Sequence, residues 1–258
     1  MAFRCSRSAI VVPLLVSLGG APRVAAAQSC SQLDAKEILD RVDDMYRGTS
    51  SHRTATMKVV TAHWTRTLKL EAWSKGVRRS LVRIVAPAKE HGTATLMVEK
   101  NVWNYLPKVR RTIKVPASMM TSSWMGSHVT NDDLVKESRM SEDYTFEKTF
   151  TGARDGRNIV EVTCIPKPDA AIVWGKVAVE VDAESCLALR QLFFGEDMKL
   201  ARTMVFEEPK RVGQRTVPLV MRVTVTDKPN ELTELRQDDL RFDIPLSDDF
   251  FSLRNLER

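Results

Sequence analysis

From about residue 54 to residue 242 the chain repeats one pattern: short runs in which apolar and polar side chains alternate, separated by turn residues. In "TLKLEA", Leu68, Leu70 and Ala72 alternate with Thr67, Lys69 and Glu71. In "KVAVEVD", Val177, Val179 and Val181 alternate with Lys176, Ala178 and Glu180. A period of two places successive side chains on opposite faces of a strand. "RRSLVRIVAP" puts Ser80, Val82 and Ile84 on one face, and "DYTFEKTF" alternates Tyr144, Phe146 and Phe150 with threonines and Glu147. Turn signals fall at 99–101, Asp155-Gly156, Asp182 to Ser185 and Lys210 to Gln214. Roughly ten to eleven strands result, at the 8–12-residue spacing of all-β folds, and their hairpin-like connections make the sheet antiparallel. Such a sheet has one wet face and one dry face. A closed barrel would hide the dry face; an open one would leave an apolar groove in need of a cover.

Little of the sequence is helical. "SQLDAKEILDRVDDMYRG" offers Asp34 as N-cap, Glu37 three residues on, and an apolar face of Ile38, Leu39, Val42, Met45 and Tyr46 before Gly48. A second, short helix is expected from Thr130, with Asp132 and Asp133 in its first turn. Between them lies "VPASMMTSSWMGSHVTNDDLV". Met119, Met120, Trp124 and Met125 there follow neither strand nor helix period. These four residues suit a core plug or a lid over an apolar ligand, methionine being adaptable.

The first 27 residues read as a removable secretory signal. Arg4 and Arg7 precede an apolar run from Ala9 to Leu18, and Ala25-Ala26-Ala27 fits a cleavage site. We expect residues 28–258 to form a single domain. Cys30 marks an alternative end-point, with attachment of a lipid to its sulfur, although Gln28 suits that processing box poorly. Loss of Arg4, Arg7 and Arg23 lowers the 39 basic residues to 36 against 33 acidic ones. With no dense basic block interleaved with aromatics, a nucleic-acid footprint is not expected. Cys30, Cys164 and Cys186 remain in an exported chain. Three is odd, so one thiol is free, lipidated or paired between chains. Within the chain, Cys164 with Cys186 is the expected pair.

Catalytic signatures are weak. His52, His63, His91 and His128 lack metal-ligand spacing. Ser123 and Ser127 lie near His128 and Asp133, but no nucleophile elbow mounts them. A lipid hydrolase is therefore the least favoured class. Arg110 and Arg111 read either as solvated charges at a strand edge or as head-group contacts at a groove rim.

The stretch "VWNYLPKVRRTIKVPASMMTSSWMGSHVTNDDLV" resembles the hallmark segment of the bacterial outer membrane lipoprotein-sorting family, the LolA-like carriers. The matching positions are Trp103, Tyr105, Leu106, Pro107, Arg110, Arg111, Trp124, Met125, Gly126, Ser127 and Asp133; His128 stands where the family usually has Asp. "IPKP" before the strand "KVAVEVDAES" and the tail residues Phe250-Phe251 extend the likeness over the mature chain. The resemblance implies a half-open antiparallel β-barrel, its concave apolar face covered by the N-terminal helix and a short helix and loop lid. It further implies a periplasmic, non-enzymatic and cofactor-free carrier of lipoprotein or lipid acyl chains. Such a carrier would be a monomer that works with an inner-membrane transporter or an outer-membrane acceptor. A lipid-sensing accessory subunit of an inner-membrane complex is the alternative. We expect Leu68, Leu70, Val82, Ile84, Val160, Val162, Val177 and Val179 to line the groove. Trp103 and Tyr105 would sit near its mouth, with Met119, Met120, Trp124 and Met125 as lid and Arg110 and Arg111 at the rim.

Overall fold

A computed structural model describes residues 28–136, 140–168, 170 and 172–258; the expected signal segment lies outside them. Thirteen strands form one sheet: β1 (Ser50–Val60), β2 (Thr65–Lys75), β3 (Arg79–Ala86), β4 (Ala94–Val98), β5 (Asn101–Leu106), β6 (Arg111–Lys114), β7 (Tyr144–Arg154), β8 (Arg157–Pro166), β9 (Lys176–Asp182), β10 (Ala188–Phe194), β11 (Leu200–Val212), β12 (Arg215–Val225) and β13 (Lys228–Phe242). The helices are α1 (Ala35–Arg47), α2 (Asn131–Lys136), α3 (Met140–Asp143) and α4 (Leu253–Leu256).

Every pairing is antiparallel, and the order is β6-β5-β4-β3-β2-β1-β13-β12-β11-β10-β9-β8-β7. The sheet is thus two meanders joined where β13 pairs with β1. The barrel is half-open, because β6 and β7 at its ends are not paired to each other. Thirteen strands exceed the ten to eleven expected. The run from residue 54 to 76 folds back at 61–64 into β1 and β2, and the basic segment after Pro107 returns as the four-residue β6. Neither turn contains the Gly-containing dipeptide that usually marks a hairpin.

Helix α1 begins with the capping box anticipated at Asp34 and Glu37 and stops at Gly48. Gly48 has φ 58°, and an added Cβ would come within 2.9 Å of an Asp243 carboxylate oxygen, so only glycine fits. Ile38, Leu39 and Val42 of α1 are buried against Val160, Val162, Val177, Val179, Phe193 and Met204. The helix therefore fills the β7–β12 half of the concave face. On the opposite face, the C-terminal tail packs Phe251 and Leu256 onto Leu81, Leu96, Trp103 and Tyr105.

Cys30 is bonded to Cys186, tying the segment before α1 to the turn between β9 and β10. This corrects the expected Cys164–Cys186 pair. Cys164 points inward from β8 and is buried and unbridged. Burial pushes its thiol up to about 12, so it stays protonated and unreactive. The Cys30–Cys186 bond also occupies the sulfur that lipid attachment at Cys30 would use.

Candidate functional site

Between α1, the sheet and the segment following β6 lies a cavity of about 240 Å³. Its apolar wall comes from Val42, Ala55, Met57, Leu70, Val82, Trp124, Phe206, Met221 and Leu235. Strand parity explains the set. Phe206 pairs with Met221, Met221 with Leu235, Leu235 with Met57, and Ala55 with Leu70, so one face of β11, β12, β13, β1 and β2 contributes these six; Val82 comes from β3, Val42 from α1 and Trp124 from the segment after β6. Polar groups gather at the same cavity: Asp43 and Arg47 of α1, Arg53 of β1, Gln191 of β10 and Gln237 of β13. The side-chain oxygen of Gln237 is buried without a hydrogen-bond partner. Burial pushes the Asp43 carboxyl up to about 7; Arg47 opposes that shift, and Asp40 and Asp44 add to it.

The cavity is closed by the crossover between the two free edges of the sheet. The segment joining β6 to β7, described at 115–136 and 140–143, brings Trp124, Val129 and Asp133 to the cavity on the open side of the half-barrel. Within it Met125 (φ 51°) and Gly126 (φ 69°) make a tight left-handed turn that turns Trp124 inward. Trp124 packs with Met57, Val59, Leu68, Leu70 and Ile84, filling the β1–β3 half of the concavity. Its indole N–H donates to Thr95 Oγ1 at 3.0 Å, and its backbone N–H donates to the Val129 carbonyl at 2.7 Å.

Besides the Trp124–Thr95 bond, three further residues, Arg66, His128 and Arg202, link this crossover to the sheet. The Arg66 guanidinium donates to the Met125 carbonyl. His128 donates its backbone N–H to Thr233 Oγ1 at 2.9 Å, while its ring nitrogens pair with Thr233 Oγ1 at 2.9 Å and Glu231 at 3.1 Å. Arg202 of β11 forms a two-pronged ion pair with Asp133, at 2.5 and 2.7 Å. Both side chains are nearly sealed from solvent, at 3% and 5% exposure. The Arg202 guanidinium also lies 4.0 Å from the centre of the Phe193 ring and 4.7 Å from that of Trp174. Asp133 further closes a capping box: Thr130 N–H donates to its carboxylate at 2.7 Å, and Asp133 N–H donates to Thr130 Oγ1 at 3.2 Å.

The residues singled out in the sequence distribute as follows. Leu70, Val82 and Trp124 line the cavity, and Leu68, Ile84 and Met125 pack beside it with Trp124. Val160, Val162, Val177 and Val179 share the concave face but lie in the core beneath α1. Trp103 and Tyr105 stand on the opposite face, under the C-terminal tail. Met120 packs on Met97, Val102 and Val115, and Met119 is exposed. Arg110 and Arg111 lie at the β5–β6 turn, on the free edge of the sheet.

The loop serines are not brought to His128. Ser127 Oγ donates to the Trp124 carbonyl at 2.7 Å, Ser123 Oγ donates to the Ser127 carbonyl, and the His128 ring faces β13. Among the described residues no three His, Cys, Asp or Glu side chains cluster as metal ligands, and no helix is long and apolar enough to cross a membrane.

Arg202, which holds the crossover through Asp133, and Asp43, which lines the cavity, were not singled out from the sequence. Arg202 did leave a signal. It occupies the position in β11 that Met204 and Phe206 continue, so a cation stands where the alternation calls for an apolar residue. Asp43 lies one residue beyond the apolar face of α1, next to Val42, where a helical wheel places a solvated boundary.

A family model described as that of an uncharacterized protein matches residues 76–258. No curated protein matches the chain. Solved structures do. A putative outer membrane lipoprotein-sorting protein domain from Vibrio parahaemolyticus is 22% identical, with a TM-score of 0.75 over 86% of this chain and 97% of its own. A DUF1329 family protein from Desulfovibrio piger is 21% identical, with a TM-score of 0.78 over 85% and 96%. A LolA superfamily protein from Nitrosomonas europaea is 19% identical, with a TM-score of 0.73 over 86% and 99%.

Proposed function

Since this chain belongs to the family whose model spans residues 76–258, and has the half-open barrel fold of the outer membrane lipoprotein-sorting and LolA superfamily proteins, we propose that it is a periplasmic, non-enzymatic carrier of acyl chains. The observation that carries this reading is the cavity itself. It is apolar along the sheet, roofed by α1 and by a crossover held with polar links rather than by continuous strand pairing. Ligand pockets for drug-sized molecules hold about 300–1,000 Å³. At about 240 Å³, this one accommodates part of a single chain. A second chain requires Trp124 and Met125 to move out of the β1–β3 half.

The driving force is burial. Each methylene withdrawn from water contributes about 0.8 kcal/mol, so eight supply about 6 kcal/mol. Asp43, Arg47, Arg53 and Gln237 would face the polar end of the cargo. Release of so apolar a ligand depends on opening the crossover or on handover to an acceptor, and an inner-membrane donor and an outer-membrane acceptor are the partners such a carrier needs.

The test is extraction of the protein purified from its native periplasm, with mass spectrometry of the extract, alongside displacement of a fluorescent fatty acid. Co-purified lipid and saturable displacement are expected. Absence of both refutes the carrier reading.

A further inference from the structure

The β5–β6 hairpin has a surface unlike the rest of the molecule. No Asp or Glu occurs between Glu99 and Asp132, while Lys108, Arg110, Arg111 and Lys114 fall within seven positions. None of these four cations forms an ion pair among the described residues; Lys114 instead lies over the Trp103 ring, 5.7 Å from its centre. Several arginines elsewhere on the sheet are paired, as Arg154 is with Glu161 and Glu180, Arg222 with Glu207 and Glu234, and Arg236 with Glu208. Among these cations stand exposed Val109 at 60% and Ile113 at 47%, with Leu106 at 38% just before them. Pairing of Leu106 with Arg111 and of Asn104 with Ile113 puts Leu106, Arg111 and Ile113 on one face, with Val109 at the tip. On the tail side of the hairpin, Thr112 Oγ1 donates to the Glu257 carboxylate at 2.6 Å.

Unpaired cations interleaved with exposed apolar groups suit a surface that is anionic outside and hydrocarbon within. We propose that this hairpin docks the protein on anionic phospholipid bilayers, Val109, Leu106 and Ile113 entering the interface while Lys108, Arg110 and Arg111 contact the lipid phosphates. The hairpin runs directly into the crossover that roofs the cavity, through the turn at Ala117–Met119. Docking there brings the roof to the membrane without requiring a protein at the surface. The assignment does not depend on the cavity holding a lipid.

The experiment is sedimentation of the purified protein with protein-free vesicles of phosphatidylcholine alone or with phosphatidylglycerol, at low and high salt. Each cation near the surface contributes on the order of fivefold in partitioning. Replacing Lys108, Arg110 and Arg111 by Gln therefore lowers binding to the anionic vesicles on the order of 100-fold. High salt weakens wild-type binding, since exposed charges are screened. Val109→Trp shows a blue-shifted emission on binding. These side chains are exposed, so circular dichroism and melting of the variants stay as in the wild type. The proposal is overturned by no sedimentation with anionic vesicles, by equal binding to both vesicle types, or by full binding of the triple Gln variant. Binding confined to vesicles carrying inner-membrane proteins also overturns it, in favour of a protein partner.

Discussion

Removing the charge of Asp133 tests how the crossover is held. Asp133 and Arg202 form a two-pronged bond at 2.5 and 2.7 Å, with side chains 5% and 3% exposed. Loss of one member of such a pair leaves an uncompensated buried charge and costs about 3–5 kcal/mol. Asp133 also caps α2, a contribution of about 1 kcal/mol. The two roles separate by substitution. Asp133→Asn keeps a side-chain oxygen for the Thr130 N–H but strands the Arg202 charge; Asp133→Ala loses both. We expect Asp133→Asn to destabilise by about 3 kcal/mol and Asp133→Ala by about 1 kcal/mol more. For a chain this size that lowers Tm by roughly 6–16 °C. Combining Asp133→Asn with Arg202→Met removes the stranded charge while refilling the space between Phe193 and Trp174. The double variant should recover most of the loss. Urea titration gives the equilibrium values. Hydrogen exchange at the Trp124 and Asp132 amides, which donate within the crossover at 2.7 Å each, reports whether the roof opens before the sheet unfolds. A loss below 1 kcal/mol for Asp133→Asn, or a double variant no better than the single one, would refute the clamp.

Further outcomes follow from the same geometry. Cys30→Ser cuts the bridge between residues 156 apart and should cost about 2–5 kcal/mol; wild type melted in reductant should match the variant melted without it. Trp124→Ala should destabilise by about 3–5 kcal/mol, whereas Trp124→Phe keeps most of the ring and loses the bond to Thr95, about 1 kcal/mol by denaturation. Because the folded-state pKa of Asp43 is raised to about 7 from 3.8, its contribution is fully present below about pH 4 and is lost as pH rises through 7. Relative to wild type, Asp43→Asn should therefore gain stability between pH 4 and 7, by at most about 4 kcal/mol, as read from paired melts across that range. A constant difference over that range would show that the Asp43 carboxyl is solvated.

Local physics was legible along the chain. The alternation of Leu68, Leu70 and Ala72 and of Val177, Val179 and Val181 marks strands because successive side chains must point to opposite faces. Asp34 and Glu37 declare a helix start because the first amide donors need partners, and α1 begins with both bonds made. Asp155-Gly156 turns because glycine tolerates its φ of 77° there. Each of these signals acts within a few residues.

What tertiary structure decided lies beyond that range. Parity says that Trp103 and Tyr105 share a face, not that the C-terminal tail covers it; one residue of register would reverse the outcome. Cys30 meets Cys186 because the segment before α1 is hydrogen-bonded to the turn between β9 and β10, at Ala183 and Glu184. Arg202 is tolerable inside the barrel only because Asp133, 69 positions earlier, arrives from the crossover. The Met- and Trp-rich stretch 115–135 has no period of its own. Its role follows from sheet order: β13 pairs with β1, which leaves β6 and β7 as free edges, and the segment joining them must cross the open side. No local pattern encodes that crossing, because it is a consequence of how all thirteen strands are ordered.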